Sequence, residues 1–305
     1  MSEKEIELDY IVAPAGFTDE QWNIFMRDGF LTIENALDTD DVNMYLDAME
    51  RATEEKGDFD GVKSYSQSNI INGDPVFRDL IDHPRHVGFA YDIYGEQLKM
   101  HGSSFLLRTK GSNVNIWHFD GPRVLPYEVF SPDVPLQLKV AYWLSDVPEE
   151  RMGNFVYLPG SHTKRYVDEY DTHEPIEGEV ITTPKPGTMT LMHNALWHRV
   201  DENHTDVIRR NIFLSYSPAW ITNADHFHSD KDWLETLSRE QRIMMREYNS
   251  AYDNAKPPPD HFPLFLDRDT ESDRDPGNYR EHVQLNRRKR DTWVEKKLRE
   301  TATKA

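Results

Sequence analysis

The sequence predicts a mainly β protein, a sandwich or barrel of short strands with helices on its flanks. Three observations lead there. From about residue 100 the apolar period changes from helical to two. The segments with that period are short and are broken by Pro and Gly. The clearest amphipathic helices lie before residue 58, ahead of the strands.

The first helix is expected in "GFTDEQWNIFMRDGF". Thr18 and Gln21 have the spacing of a capping box, Trp22, Phe25 and Met26 follow at helical spacing, and Gly29 is a natural stop. "FLTIENAL" reads as a short strand. "DTDDVNMYLDAMERATEEKG" reads as a second helix, with Val42, Tyr45, Leu46 and Met49 on one face and Gly57 past its end. Further on, "LQLKVAYWLSD" alternates, placing Leu136, Leu138, Val140 and Tyr142 on one face. "GNFVYLPGSH" is a strand entering a Pro-Gly turn, and "PGTMTLMHN" and "RRNIFLSYS" are further strands. "DKDWLETLSREQRIMMREYN" reads as one late helix, with Ser229 before it as a cap.

Composition removes several functional classes. The formal charge of -19 argues against nucleic acid and against an anionic membrane surface. The absence of cysteine excludes disulfides, zinc-thiolate sites, iron-sulfur clusters and thiol nucleophiles. "MSEKEIELDY" has no apolar core of signal-peptide length, and no apolar run approaches the roughly 20 residues of a spanning helix. The expectation is a soluble, cytoplasmic protein with a small-molecule substrate, of unassigned oligomeric state. The tail from Arg287 to Ala305 is locally basic, with eight Lys or Arg against three acids, and reads as a solvated helix face.

Histidine carries the chemistry. An open non-haem iron(II) centre takes two histidines and one carboxylate and leaves three positions for co-substrate and oxygen. A His-x-Asp pair on a strand points both side chains the same way. Three such triplets occur. His204-Thr-Asp206 lies in a polar turn, and His228-Ser-Asp230 lies in a loop entering a helix. His118-Phe-Asp120 has strand-like sequence around it. It is followed by a strand ending at His193 or His198 and another carrying Arg209 and Arg210.

That constellation resembles the phytanoyl-CoA dioxygenase family of iron(II)- and 2-oxoglutarate-dependent oxygenases. The likeness spans about residues 17 to 217. "MRDGFLTIENALDTDDVNMYLDAME" is similar to the family's opening segment, and "WHFDG" to its metal motif. "MGNFVYLPGSH" is similar to its Pro-Gly-Ser-His turn, with Asn and Gly reversed, and "LMHNALWHRVDENHTDVIRRNIFLSY" to its distal histidine and arginine segment. The resemblance implies a double-stranded β-helix, a jelly-roll or cupin-like barrel. It implies one domain over 1–305, with a core of about 17–217 and a C-terminal helical and loop extension over 218–305.

The family's arginine follows its distal histidine by eleven residues, which selects His198 with Arg209 over His193. Adjacent residues of a strand face opposite ways, so Arg210 is expected to point outward with Ile212 and Leu214. The implied metal ligands and catalytic residues are His118, Asp120 and His198. The implied 2-oxoglutarate contact is Arg209, whose fork fits a carboxylate. The implied cofactors are Fe(II), 2-oxoglutarate and O2. The activity implied is oxidation of a C-H bond in a small metabolite or natural-product intermediate, as a hydroxylase or close variant, with Asp120 closing the position that related halogenases leave open. Two positions depart from the family. Val200 stands where many members carry a serine contacting the co-substrate, and Phe119 stands between the metal His and Asp where many have a polar residue. Family members also often use a residue on the strand before the metal motif, in the region of "KMHGSSFLLR", where neither His101 nor Arg108 is assigned a role, and His162 of "PGSH" reads as structural. The competing class is a non-oxidative cupin-like metal protein or isomerase, which has no need of an inward arginine at that offset.

Overall fold

The computed structural model describes residues 11–111, 116–120, 132, 134–164, 172–225, 228–246 and 264–265. The elements run α1 (Asp19–Asp28), β1 (Phe30–Ile33), α2 (Thr39–Lys56), β2 (Tyr65–Ser68), α3 (Pro75–Arg78), α4 (Val87–Tyr94), β3 (Leu98–Arg108), β4 (Leu138–Trp143), β5 (Phe155–Tyr157), β6 (Val180–Ile181), β7 (Met189–His193), β8 (His198–Val200), β9 (Arg209–Pro218), α5 (Lys231–Glu235) and α6 (Arg239–Met245). The basic tail lies outside the described residues, as does all of the Pro-rich segment 255–269 except Leu264 and Phe265.

The early helices form for the reasons their ends suggest. Thr18 and Gln21 make a reciprocal capping box, and Gly29 closes α1 at φ 74. A side chain at Gly29 is excluded twice, by that left-handed φ and because a Cβ would lie 2.4 Å from the His162 ring. Asp38 caps α2 by accepting from the Asp41 amide, and Gly57 ends it at φ 64. Val42, Tyr45 and Met49 are buried along one face of α2.

Two sheets build a double-stranded β-helix. One has six strands in the order β1-β7-β4-β9-β3-β2, and the other has three in the order β6-β5-β8. In the large sheet Lys139 pairs with Met192 and Ser215, Ala141 with Thr190 and Phe213, and Trp143 with Asn211. These residues share one face, the inner one. Phe30, Trp143 and Met192 pack there with Phe155 of the small sheet, and Phe30 stacks on Phe155 at 5.4 Å and on Tyr157 at 4.2 Å. The opposite face of the large sheet carries Leu138, Val140, Tyr142, Ile212, Leu214 and Tyr216, all wholly buried. Both faces of β4 are therefore covered. The alternation over 136–142 marks the outer, drier face rather than the only buried one, and Leu136 itself precedes the strand.

Two expectations need correction. The single late helix is two, because Ser238 forms a capping box with Gln241 and starts α6 three residues after α5 ends. The cap of α5 is Asp230, whose carboxylate accepts from the Asp232 and Trp233 amides, and not Ser229. The short elements between residues 58 and 97 leave little trace in the sequence, since β2 has four residues and α3 only one turn.

The chain divides into two compact units. One comprises 18–81 and 100–229 and holds most of both sheets. The other comprises 1–17, 82–99 and 230–305. In the second, the Phe17 amide donates to buried Asp92 at 2.8 Å, and Glu96 is buried among Tyr91, Arg239, Arg246 and Leu264. Its carboxyl accepts from the Tyr91 hydroxyl at 2.9 Å and from the Leu264 amide at 2.6 Å. Burial nevertheless outweighs these contacts and the two arginines, raising the Glu96 carboxyl from 4.5 to about 7. An acid raised on folding lends stability below its unfolded value and loses it as pH climbs through the folded one. Glu96→Gln is therefore expected to flatten the part of the melting-temperature profile that falls between pH 4.5 and about 7. Parallel thermal melts of the two proteins across that range would check it, and identical slopes would count against a neutral Glu96.

Candidate metal centre

The site starts from one backbone pairing. The His118 amide donates to the His198 carbonyl at 2.9 Å, and the His198 amide donates back to His118 at 2.9 Å. Residues that exchange both bonds across an antiparallel pair project their side chains to the same face, and the two imidazole rings lie 4.2 Å apart. Among the described residues the pairing at His118 is an isolated bridge.

Asp120 is fixed by Asn194. Its amide donates to the Asn194 carbonyl at 2.9 Å, and the Asn194 amide group donates to the Asp120 carbonyl at 3.0 Å. The same Asn194 exchanges bonds with the backbone of Gln137 just before β4. Phe119 points away from the two ligand candidates and meets Trp197 edge-on at 5.7 Å, within a cluster of Trp117, Val156 and Trp197. That packing explains an aromatic in this position. Arg199, also facing away, is held by Glu179 and Asp201 and lies over Trp117 at 5.3 Å.

His118, Asp120 and His198 each present a donor atom, and the three atoms lie within 4.8 Å of one another. The Nδ1 of His118 meets the Ile116 carbonyl at 2.8 Å, and that of His198 meets the Leu196 carbonyl at 2.9 Å. A carbonyl only accepts, so each Nδ1 carries a proton and each Nε2 is the ring nitrogen left to face a metal. Burial pushes the His198 imidazole well below its usual range, more strongly than Asp120 pulls it up, so the ring is neutral as a ligand must be. For Asp120, burial works upward but is outweighed by Lys139, whose ammonium sits 3.2 Å from the carboxylate, and then by the two histidines. The net direction is down. Two imidazoles with their Nδ1 atoms occupied and an ionised carboxylate suit a borderline divalent ion such as iron(II).

The other sequence candidates fall elsewhere. His193 faces the opposite side of its sheet from Met192, with its ring 4.9 Å from that of His162. His204 pairs with Glu202 and Asp206 with Lys110, all at the surface. Arg209 is on the inner face with Asn211 and Phe213, 1 % exposed, its guanidinium 5.2 Å over the Trp143 ring. It donates to the Gly153 carbonyl and, at 3.1 Å, to Asn211. Its Nε has no partner among the described residues. Arg210 lies on the outer face, in a groove with Leu46, Met49, Glu50 and Leu107. On the inner face lies a small cavity lined by Phe30, Lys139, Trp143, Phe155, Met192 and Phe213. Lys139 and Asn194 escape sequence reasoning, because their importance depends on cross-strand register and not on a local motif.

The molecule is thus a jelly-roll barrel with a His-Asp-His cluster on its inner wall. A model of the phytanoyl-CoA dioxygenase (PhyH) family matches residues 25–211, and the chain belongs to that family. It is similar to the dioxygenase trt7 of Aspergillus terreus, 27 % identical over 186 residues, a match spanning 58 % of this chain and 62 % of that protein. Among solved structures it is similar to HygX of Streptomyces hygroscopicus with nickel and 2-oxoglutarate bound, at TM-score 0.60 and 21 % identity, covering 68 % of this chain and 90 % of HygX. It is also similar to SnoK, a non-haem α-ketoglutarate-dependent carbocyclase from nogalamycin biosynthesis, at TM-score 0.55 and 21 % identity, covering 74 % and 94 %.

The Lys139–Asp120 pair gives a prediction. Lys139→Met leaves a part-buried carboxylate without its counter-charge, and a stability loss on the order of 1 to 2 kcal/mol is expected in metal-free protein. Added nickel(II) should recover much of it by supplying the missing positive charge. Melting curves with and without metal measure both effects, and a metal-free variant as stable as the wild type would show that the pair contributes nothing.

Proposed function

We propose that this chain is an iron(II)- and 2-oxoglutarate-dependent oxygenase that oxidises a C-H bond of a small metabolite or natural-product intermediate. The observation that carries the reading is a pair of features on the inner wall. Three metal donors with preset tautomers stand there together with a buried arginine whose guanidinium has no acid partner among the described residues. A cupin-like protein without this co-substrate has no use for the second feature.

In this reading His118 and His198 hold the metal through Nε2, and Asp120 holds it through its carboxylate. Bound iron supplies the oxidative chemistry, coupling decarboxylation of 2-oxoglutarate to succinate with oxidation of the substrate. Arg209 binds the distal carboxylate of the co-substrate through a charge-assisted fork. Phe30, Phe155 and Met192 line the cavity with apolar surface that keeps water from the reacting groups. Trp143 lies under the Arg209 guanidinium and fixes its plane. The small-molecule assignment is supported by HygX, a structure of which contains hygromycin B, and by SnoK from nogalamycin biosynthesis.

Alanine at His118, Asp120 or His198 is expected to abolish iron binding and substrate-free conversion of 2-oxoglutarate to succinate, while His193→Ala retains both. Metal content and succinate yield decide the matter. Loss of iron from His193→Ala with retention in His198→Ala would move the ligand to the other histidine.

For the co-substrate, Arg209→Ala is expected to raise the 2-oxoglutarate KM while sparing metal binding. Losing one partner of such a contact costs on the order of 2 to 5 kcal/mol, roughly 30-fold or more. Arg210→Ala should change KM little, because its side chain lies on the outer face. Equal effects from the two variants would overturn the assignment of faces.

A further inference from the structure

We infer that Arg199, the residue after His198 on β8, is a positioning residue for the metal donors: its guanidinium, laid against Trp117 and held by two acids, keeps His118 in register with His198. The inference rests on the reading of His118, Asp120 and His198 as metal ligands and adds to it a residue on the other face of the strand.

The ligand pairing is a weak hold by itself. β8 has three residues and pairs along one edge with β5, where Tyr157 stands opposite His198 and Val156 opposite Arg199. At its other edge, among the described residues, the only ladder contact is the isolated bridge to His118. Two hydrogen bonds at one residue pair stabilise little, and a slip by one residue would turn the His118 ring to the wrong face. The next pair along the same bridge is Trp117 with Arg199. Since His118 and His198 exchange both backbone bonds, this neighbouring pair is of the non-hydrogen-bonded kind, in which side chains come closest. The contact is made: the guanidinium lies 5.3 Å from the centre of the Trp117 ring, and both side chains are buried.

Each member of that pair is anchored separately. Arg199 donates to Glu179 at 2.9 Å and also to Asp201. The second oxygen of Glu179 accepts from the Ile176 amide at 3.0 Å, and Ile176 packs on the cluster of Trp117, Val156 and Trp197. The Trp117 amide donates to the Thr172 carbonyl at 3.1 Å, and its indole donates to the Glu174 carbonyl at 3.0 Å. Residues 172–179 therefore reach Trp117 through backbone carbonyls and Arg199 through a carboxylate. With two acids on it, Arg199 has no charge to spare for an anionic reactant, and it faces away from the donors. A flat fork with carboxylates at its edge and an indole on its face is a place that lysine fills poorly. The acids fix the fork, the fork fixes the indole, and the indole fixes the backbone that carries His118.

The test is calorimetric titration of metal-free protein with nickel(II), beside the visible spectrum of the cobalt(II)-loaded protein. Arg199→Met is expected to weaken nickel(II) at least about ten-fold. Its cobalt spectrum should differ from that of the wild type, because the two imidazoles no longer meet the ion at the same angle. Arg199→Lys should recover part of the affinity. Val156→Ala thins the same cluster and leaves the Trp117–Arg199 pair in place, so it should lower the melting temperature, hold nickel affinity within about two-fold and keep the wild-type spectrum. The inference is overturned by unchanged affinity or an unchanged spectrum in Arg199→Met, or by an equal loss of affinity in Val156→Ala. If Arg199→Met does not fold, Arg199→Lys decides in its place, and wild-type affinity and spectrum there overturn the inference too. Uptake by the wild type separates the levels. If it binds nickel and Arg199→Met binds as well, only the positioning role is wrong. If the wild type binds none, or His198→Ala binds as much, the ligand reading fails and this inference fails with it.

Discussion

The two hydrogen bonds exchanged by His118 and His198 are the constraint on which the site depends. A single antiparallel bridge brings together residues eighty positions apart and sets both imidazoles on one side. Everything around it serves to hold that bridge. Asn194 ties Asp120 to the approach to β4. Phe119, Trp117 and Trp197 fill the space behind the ligand candidates, and Arg199 is locked there by two acids. The carbonyls of Ile116 and Leu196 fix the tautomers. The donor set is thus held firmly from behind by backbone and aromatic contacts.

The barrel divides labour between its two faces. The outer face of the large sheet is apolar and buried, and it supplies much of the burial that stabilises the fold. The inner face carries Lys139, Thr190, Asn211 and Arg209 among aromatics. Polar groups in such a place cost stability unless they are matched, and several of them are matched here only in part. The arrangement fits a wall whose remaining partners are reactants.

Much of this was legible beforehand, and for definable reasons. Caps are local, so Thr18, Gly29 and Gly57 announce their helices without tertiary information. The alternating strands are legible because period two survives in "LQLKVAYWLSD" and "RRNIFLSYS". The choice between His193 and His198 came from the resemblance, through its spacing to Arg209, and not from the histidines themselves. In the structure, pairing of Leu138 with His193 turns His193 to the outer side. What remained hidden depends on register. In "LQLKVAYWLSD" the polar positions look solvent-facing by the usual rule for a half-buried strand, yet Lys139 points inward because both faces are covered. Asn194 looks like an ordinary turn residue until its partner at Asp120 is known. The break at Ser238 was missed because apolar residues continue at helical spacing across it.

The contact between Lys139 and Asp120 also bears on the order in which the protein is assembled. In small metal-dependent modules the ligands repel or lie unpaired until the ion arrives, and the apo chain does not fold. Here an ammonium already stands 3.2 Å from the carboxylate, and each imidazole has its back nitrogen occupied by a backbone carbonyl. The carboxylate thus has its counter-charge from within the chain, and the donor set needs no ion to neutralise it.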